Sequence, residues 1–434
     1  MKIVIIGCGI VGSAIAYELS QVKGLDITVI DQQPPAQAST GAALGVLMGV
    51  ISHKTKGKPW RMRQQSLELY ERWIPELEAV SGRKIPFNRQ GILSLCTAEE
   101  DLKGWEYLAK KRKSQGFQLE IWDSVKFQQI CPHVNQNKVI AAVYSPQDRQ
   151  LDPTTLTLAL VDGALKNGVN FKFGVKVLEI PVSSEAGENT LSPLPLSEGV
   201  CREISTSEGK ITADWFIIAA GLGTSSLTTG LQQKIDQKKQ GETEQAGELS
   251  EVESNLRPDV LPCPRSDFGV SAQSNADAHG GSLPPAPFPL IDIRPVLGQA
   301  LHFHVGHALG NPDFQPALTG NDVHIVPCAA GILPTTDYWV GATVEFPDEQ
   351  GKTLPADSEL LSSVKQQAIE FCPQLANATI TRTWSGLRPR PEGRAAPVID
   401  HLPGFSNILL ATGHYRNGVL LAPASAIAIR EMIT

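Results

Sequence analysis

The sequence predicts a chain of two domains, an α/β domain with a parallel sheet and an α+β domain with a mixed sheet. Two cores are expected because the chain has 434 residues and 41% hydrophobic content, whereas a single core stops growing near ~250 to 300 residues. A strand–helix–strand pattern opens the chain, and strand patterns resume after a long polar stretch. Strands on the two sides of that stretch must pair across it, so both domains are expected to be discontinuous.

The first unit is predicted as strand, helix and strand. A β-branched run from Lys2 to Ile6 precedes a helical composition from Ser13 to Gln21 and a second apolar strand from Leu25 to Ile30. Glycines interrupt the opening apolar run before Glu18, so we interpret it as a buried strand entering a helix and not as a signal peptide. No other stretch reaches about 18 uncharged apolar residues, and we expect no transmembrane segment.

Further helices and strands follow. The apolar spacing from Arg61 to Ser81 predicts a helix, and residues 99–116 predict another. Asp152 followed by Pro153 is typical of a helix start, with a side-chain cap and a proline in the first turn. Strand patterns occur in NFKFGVKVLEI, in GKITADWFIIAAGLGTSSL (a strand pair closed by a glycine turn), and in PLIDIRPVLGQALHFHV, VHIVPC, DYWVGATVEF and the start of NILLATGHYRNGVLLAPASAIAIREMI.

The long polar stretch has a composition of its own. Residues 231–280 carry nine acidic and five basic side chains and a single aromatic one, Phe268. Such a segment buries too little apolar surface to order itself, which predicts a mobile low-complexity insertion over residues 226–285. The remainder divides into a cofactor domain and a substrate domain. Their predicted segments are 1–85, 140–225 and 375–434 for the first domain, and 86–139 and 286–374 for the second.

Charge and cysteine usage exclude several classes of partner and site. The formal net charge is −7 and the lysines are scattered, so there is no basic stripe for nucleic acid. The seven cysteines lie far apart with no CxxC pair, which argues against a zinc site or a disulfide scaffold and indicates a reducing compartment. We therefore expect a cytoplasmic protein without a bound metal, and a homo-oligomer is compatible with the sequence.

A glycine motif, GCGIVG, follows the first strand directly and opens the helix, as in the GxGxxG pattern of dinucleotide sites. Its glycines allow a tight turn, backbone approach to a pyrophosphate, and close helix packing, in that order. Asp31 ends the second strand and is the expected acceptor for an adenosine ribose hydroxyl, which disfavours NADP. This predicts a Rossmann-like domain without choosing between NAD and FAD. The motif residues expected at the cofactor are Gly7, Gly9, Ile10, Val11 and Gly12.

Two further stretches resemble the D-amino-acid oxidase family of FAD enzymes. ASTGAALGVLMGV, residues 38–50, resembles the small-residue loop beneath the flavin, and TADWFIIAAGLGTSS resembles the second flavin-binding turn. FGVKV is similar to the strand whose backbone contacts adenine. The resemblance implies FAD, bound non-covalently because no cysteine lies in a recognisable attachment motif. It places the cofactor at Ser39, Thr40, Ala42, Ala43, Gly45, Val175, Val177, Ala220 and Gly221.

The end of the chain carries the same resemblance. ATGHYRNGVLLAP, residues 411–423, resembles the closing motif in which a glycine-rich turn and the following helix meet the flavin. The N-terminus of that helix can stabilise the negative charge of a reduced flavin, and Arg416 is also expected to face the substrate. The implied contacts to ribityl and pyrimidine oxygens come from Gly413, His414, Arg416, Asn417, Gly418 and Val419.

An arginine and proline cluster precedes the closing motif. WSGLRPRPEGRAAPVI places Arg388, Arg390 and Arg394 among prolines, which predicts a stiff loop. It resembles the segment of glycine oxidases and D-amino-acid oxidases whose first arginine, here Arg388, clamps the substrate carboxylate. A guanidinium fork binds a carboxylate through two parallel hydrogen bonds. Arg390 and Arg394 are expected to be solvated or paired with phosphate.

One position departs from the family pattern. DVHIVPCAAG resembles the strand in which a tyrosine before IVP helps to bind the substrate carboxylate, but this sequence has His324 there. An imidazole can donate a hydrogen bond, although its charge varies near neutral pH. Two interpretations stay open: His324 contacts the substrate, or it only fills space. Tyr338, in the neighbouring GILPTTDYWVGATVEF, is a candidate for the missing hydroxyl.

The resemblance implies an oxidoreductase acting on the C–N bond of a small amino acid, namely glycine, sarcosine or a D-amino acid. Hydride would pass to flavin N5, an imine would form, and O2 would reoxidise the flavin to give H2O2; among relatives the resemblance favours the glycine oxidases of thiamine biosynthesis. Such chemistry depends on positioning. Three alternatives are a dehydrogenase that passes electrons to a quinone or carrier, a flavin-binding scaffold without turnover, and an NAD-dependent dehydrogenase, which explains neither the second turn nor the closing motif.

Overall fold

A computed structural model describes five ranges of the chain, namely residues 1–98, 100–181, 199–229, 291–328 and 335–434. The insertion predicted over residues 226–285 lies outside the described residues, except for 226–229, which belong to a helical segment at 223–229. Within the described ranges, no helix is long and apolar enough to span a membrane.

Apart from the helical segment at 223–229, the α-helices and strands of the described ranges have the following bounds. The helices are α1 (Ile10–Ser20), α2 (Gly57–Ser81), α3 (Glu100–Ser114), α4 (Ser124–Ile130), α5 (Pro153–Lys166), α6 (Ser358–Phe371) and α7 (Gly418–Ile433). The strands are β1 (Lys2–Ile6), β2 (Asp26–Asp31), β3 (Val46–Leu47), β4 (Phe87–Asn88), β5 (Ile92–Cys96), β6 (Glu120–Trp122), β7 (Ala141–Ser145), β8 (Arg149–Leu151), β9 (Asn170–Phe173), β10 (Val177–Glu179), β11 (Glu203–Thr206), β12 (Gly209–Thr212), β13 (Trp215–Ile218), β14 (Ile293–His304), β15 (Ala317–Gly320), β16 (Val323–Pro327), β17 (Asp337–Gly341), β18 (Thr379–Pro391), β19 (Val398–His401) and β20 (Ile408–Thr412).

The predicted α/β domain is built on a six-stranded sheet with the order β19-β20-β13-β1-β2-β9. All neighbours pair in parallel except β19 with β20. Because side chains alternate along a strand, Ile3 and Ile5 pack on a core shared with α1, α2, α5 and α7, whereas Val4 and Ile6 pack towards β10 and β11. The sheet is therefore covered on both faces, as parallel sheets require.

The second large sheet is mixed and has eight strands in the order β18-β14-β17-β16-β15-β5-β7-β6. Of these strands, β15 and β5 pair in parallel and the other neighbours are antiparallel. The core of this sheet contains the fully buried rings of Phe127 from α4 and Phe303 from β14, and Phe371 of α6 packs into the same cluster. The fold is thus the predicted combination of a parallel, Rossmann-like sheet and a mixed sheet.

The arginine and proline cluster is a loop only in its second half. Arg388 and Arg390 lie in β18, an edge strand of the eight-stranded sheet, with Arg388 opposite Val296 of β14, and Arg394 follows the end of this strand. An edge strand tolerates proline because one side of its backbone has no neighbour that needs an N–H donor. The prediction of a loop therefore missed an edge strand at Arg388 and Arg390.

Two strand predictions also need correction. NFKFGVKVLEI is not one strand: β9 joins the six-stranded sheet and β10 joins a three-stranded sheet with β11 and β12. Likewise β12 and β13 are neighbours in sequence but belong to different sheets, so they are not a pair. The helix start at Asp152 is confirmed, since its side chain accepts a hydrogen bond from the Thr155 N–H at 2.5 Å.

Candidate active site

A cavity of about 700 Å³ lies where the two large sheets meet. Its floor is formed by the turns that follow β1, β2, β13 and β20 at their carboxyl ends, which is the usual ligand position in parallel α/β sheets. Its opposite wall is formed by residues of β14, β15, β16 and β18. One cavity therefore contacts both predicted domains.

The glycine turn after β1 has the geometry that its sequence requires. Gly7 has a φ of +109°, a conformation that side chains disfavour. A Cβ on Gly12 would overlap the carbonyl oxygen of Gly7, so close helix packing excludes any larger residue. α1 begins at Ile10 with Gly9 as its N-cap and no side-chain cap. The N–H groups that follow Ile10 in its first turn can therefore bind an anion.

Asp31 and Thr40 brace this turn from two sides. The Asp31 carboxylate accepts hydrogen bonds from the Cys8 N–H at 2.6 Å and the Gln33 N–H at 2.9 Å. The Thr40 hydroxyl oxygen accepts one from the Ile10 N–H at 3.1 Å. Both residues line the cavity, so each holds the glycine turn while facing the same space.

The small-residue loop is attached to β18. The Ser39 hydroxyl donates to the Leu387 carbonyl at 2.6 Å, and the Trp384 indole N–H donates to the Ala42 carbonyl at 3.1 Å. A Cβ on Gly386 would overlap the Ala42 side chain. These contacts place a loop of the first predicted domain directly against a strand of the mixed sheet.

Arg388 is a cation without a carboxylate partner among the described residues. Its Nη1 donates to the Leu297 carbonyl at 3.1 Å, and its guanidinium lies over the bare Cα of Gly298. Burial, followed by the nearby charge of Arg416, lowers the pKa of Arg388. Since Arg388 lines the cavity, its remaining N–H groups can bind an anion there.

Arg416 and His324 lie near Arg388 on the cavity wall. Arg416 pairs with Asp322 at 3.0 Å, and Asp322 is 73% exposed, so this is a weak surface contact. The Nδ1 atom of His324 is buried and has no hydrogen-bond partner among the described residues. Burial, assisted by the positive charge of Arg416, lowers the pKa of His324 to about 4. His324 is therefore neutral at physiological pH.

The alternative that Tyr338 supplies a substrate hydroxyl is wrong. Tyr338 is 3% exposed, and its hydroxyl donates to Gln315 Oε1 at 2.6 Å and accepts from the Leu309 N–H at 2.7 Å. It does not line the cavity. Of the other two arginines, Arg390 pairs with Glu392 at 3.2 Å and Arg394 is exposed.

The structure brings the residues singled out from the sequence to one place. The residues expected at the cofactor, together with Arg388 and His324, all line the cavity except Gly12, which packs behind the glycine turn. Tyr338, Arg390 and Arg394 do not line it. Those that line it are Gly7, Gly9, Ile10, Val11, Asp31, Ser39, Thr40, Ala42, Ala43, Gly45, Val175, Val177, Ala220, Gly221, His324, Arg388, Gly413, His414, Arg416, Asn417, Gly418 and Val419. His414 is held there by Ser425, whose hydroxyl lies 2.8 Å from its Nε2.

Sequence reasoning missed several wall residues. Arg63 comes from α2, which its apolar spacing predicts only as a core helix, and Gly298 comes from the middle of a strand. Met48, Ser52 and Thr319 are further examples. The sequence contained one signal for Arg63, namely an arginine within an apolar helical face. A buried cation needs a partner, which indicates a binding role.

The residues present fit FAD. The cavity volume lies within the usual range of about 300 to 1,000 Å³ for ligand sites. A Cβ on Gly9 would lie 3.3 Å from the Thr40 hydroxyl, a tight contact that glycine avoids. A carboxylate ends β2, and the N-termini of α1 and α7 both reach the cavity. In the described part of the chain, no cluster of side chains could hold a metal ion.

Comparison with known proteins agrees with this geometry. A bifunctional protein ThiO/ThiG from Nostoc sp. is 26% identical over 432 residues, which are 99% of this chain and 52% of that protein. A glycine oxidase from Bacillus subtilis is 24% identical over 432 residues, covering 99% of this chain and 92% of the other. The chain spans about half the length of the first curated relatives that it matches.

A solved structure and a family model also match this chain. The crystal structure of glycine oxidase from Bacillus cereus has a TM-score of 0.73 at 19% identity, covering 100% of this chain and 94% of that one; at this identity the likeness shows the fold alone. The family model described as FAD dependent oxidoreductase matches residues 2–271 and 271–432. With its glycine turn, closing helix and cavity in place, the chain belongs to the family of FAD dependent oxidoreductases.

Proposed function

We propose that this chain oxidises the C–N bond of a small amino acid, namely glycine, sarcosine or a D-amino acid, to an imine, with O2 as the electron acceptor and H2O2 as the second product. The observation that supports the proposal most is Arg388, a half-buried guanidinium on the cavity wall without a carboxylate partner in the described ranges. The names of the glycine oxidase relatives point to the same substrate class. The imine of glycine would then serve thiamine biosynthesis, as the sequence resemblance implies.

Arg388 is suited to hold the substrate carboxylate. Its Nη1 is fixed by the Leu297 carbonyl, and stacking over Gly298 sets the plane of the fork. A guanidinium that is fixed before binding loses less conformational entropy when it binds a carboxylate. Partial burial strengthens the attraction, because less water screens it.

The cavity offers no free carboxylate as a general base among the described residues. The only acidic residues that line it in that part of the chain are Asp31 and Asp322. Asp31 is occupied by backbone N–H groups and Asp322 pairs with Arg416. The site therefore orients a substrate whose amine must already be neutral, and bound FAD would supply the two-electron acceptor.

The first experiment records the absorbance spectrum of the FAD-loaded protein under anaerobic conditions, before and after glycine, sarcosine, D-alanine and D-proline. We expect at least one of them to bleach the flavin band. R388A should lose this response at substrate concentrations that suffice for the wild type, and R394A, at an exposed position, is the matched control. A flavin band that none of the four bleaches would reject the substrate class.

The electron acceptor is tested separately. The amino acid that bleaches the flavin band is added under air, and the H2O2 that forms is measured. Reduction of an artificial electron-accepting dye is measured in parallel. Peroxide formed in step with substrate loss supports the oxidase. Dye reduction with little peroxide would identify a dehydrogenase that serves a quinone or carrier.

A further inference from the structure

Arg63 is a buried cation of the cavity wall that the proposed reaction does not use. It lies on α2, is 8% exposed, and lines the cavity close to Asn417, the N-cap of α7. Its neighbours on α2, Met62 and Leu67, belong to the hydrophobic core. A charged residue in such a face needs a compensating partner.

The protein itself provides only part of that compensation. Nη1 of Arg63 donates to the Pro59 carbonyl at 2.9 Å and Nη2 to the Asn417 side chain at 3.4 Å, and both acceptors are neutral. Its Nε is buried with no partner among the described residues. The three guanidinium nitrogens of Arg63 carry five N–H donors, and within the ranges described they have two neutral acceptors and no counter-ion.

Asp148 is the acid that influences Arg63 most, but it is already engaged. Its Oδ1 accepts the N–H groups of Gly49 and Val50 at 2.7 Å each, and its Oδ2 accepts that of Ile51 at 2.8 Å. Burial lowers the pKa of Arg63, and the opposing effect of the Asp148 charge is smaller. The remaining positive charge therefore faces the cavity without an ion pair to any described residue.

A second source of positive potential lies beside it. The N-terminus of α7, at Gly418, reaches the cavity, and no side chain caps it. A helix N-terminus carries the equivalent of about half a positive charge. Arg63 and this terminus are joined through Asn417, so they present their positive potential to one part of the cavity.

We propose that Arg63 binds the FAD cofactor at the N-terminus of α7 and stabilises the negative charge that the cofactor gains on reduction. Two electrons and one proton convert oxidised FAD to a reduced form with one more negative charge. A fixed buried cation interacts more strongly with that form than with the oxidised one. Arg63 therefore makes bound FAD a better electron acceptor. This inference rests on FAD binding and not on the identity of the substrate.

The test compares R63M with R61M, which removes an exposed arginine two residues away on the same helix. The reduction potential of FAD bound to each variant is measured against reference dyes with dithionite as reductant. We expect R63M to lower the preference of the protein for reduced over oxidised FAD by about tenfold, which is ~30 mV for a two-electron couple. R61M should match the wild type, and R63K, which keeps the charge, should lie closer to the wild type than R63M.

Other outcomes are equally informative. A potential unchanged in R63M, with FAD still bound, would overturn the proposal. So would a raised KM for glycine at unchanged potential, since Arg63 would then serve the substrate. If R63M loses FAD, R63Q is measured instead, and a wild-type potential in that uncharged variant would overturn the proposal. No amino acid is needed to measure the potential, so failure here is distinct from failure of the proposed function.

Discussion

Gly298 determines where the guanidinium of Arg388 can lie. β14 and β18 pair so that the Arg388 side chain extends over the Cα of Gly298. A Cβ on Gly298 would overlap Nη1, Nη2 and Cζ of Arg388. We expect G298A to displace the fork and to raise KM for the amino acid about tenfold or more, equivalent to ~1.4 kcal/mol of lost binding. The bound flavin should keep its absorbance spectrum and its potential. Steady-state kinetics with the substrate that bleaches the flavin measure this effect.

The control for G298A is G104A. Gly104 lies in α3, a Cβ added there would meet no atom within 4 Å, and alanine favours a helix. We expect G104A to leave KM unchanged. An unchanged KM in G298A as well would mean that the cavity relaxes around the methyl group and that Gly298 does not position Arg388.

At the scale of single residues, the sequence located most of the candidate site. Gly7 and Asp31 could be found because each meets a local demand, a tight turn or a carboxylate at a strand end. Arg63 and Gly298 could not, because their roles depend on residues distant in sequence, Asn417 and Arg388. The prediction for Tyr338 is wrong for the same reason, since only the tertiary structure shows the partners of its hydroxyl.

The loop of residues 49–54 depends on two charged side chains of other elements. Asp148 accepts three of its N–H groups, and Arg112 of α3 donates to the carbonyls of Val50, Ser52 and Lys54. Arg112 also stacks on Trp60, with 3.6 Å between its Cζ and the ring centroid. These bonds satisfy much of the backbone of a loop that has no regular strand partner.

We expect D148N to lower the free energy of unfolding by roughly 2 to 3 kcal/mol. An asparagine amide replaces a charged acceptor by a donor that faces backbone N–H groups, and unsatisfied buried groups cost about 1 to 3 kcal/mol each. Urea unfolding at pH 7.5 measures the change. D162N is the control, because its partner Arg83 forms a surface pair worth about 0 to 1 kcal/mol. Equal effects of the two substitutions would refute a bracing role for Asp148.

At the scale of elements, periodicity predicts the type of an element better than its partners. α2 and α5 are found because helical spacing and capping are local. β18 is missed because proline forbids a central strand but not an edge strand, and the position of a strand within a sheet is a property of the whole fold. β9 and β10 lie in different sheets, and which sheet a strand joins cannot be predicted from a short stretch of sequence.

The whole molecule is held together at its cavity by contacts between loops of the parallel sheet and the mixed sheet. The small-residue loop hydrogen-bonds to β18 through Ser39, and Arg416 reaches Asp322 at the hairpin between β15 and β16. The division into 1–85, 140–225 and 375–434 against 86–139 and 286–374 stays a prediction. Length and composition imply two cores, but not that the cavity lies at their junction.

Three histidines in different parts of the molecule make its stability depend on pH. Burial lowers the pKa of His133, His324 and His414 from 6.5 to about 4 each. Between these values the unfolded chain binds protons that the folded chain does not, so stability is full above pH 6.5 and is lost as the pH falls towards 4. The loss from pH 7.5 to 5 should be roughly 2 kcal/mol per histidine.

Burial raises the pKa of Glu18 and Asp148, so protonation of these two carboxyls opposes the decline. The carboxylates with lowered pKa values act outside this window. Glu71, Glu78 and Glu120 have pKa values held below 4.5 by hydrogen bonds and charges of nearby groups, so their stabilisation is lost only at lower pH. Urea unfolding at pH 7.5, 6 and 5 should show a steady decline. H414Q should reduce the decline by the contribution of one histidine, roughly 2 kcal/mol, whereas H307Q, at an exposed position, should leave it unchanged. A decline as steep in H414Q as in the wild type would show that His414 takes up a proton in the folded chain as readily as in the unfolded one.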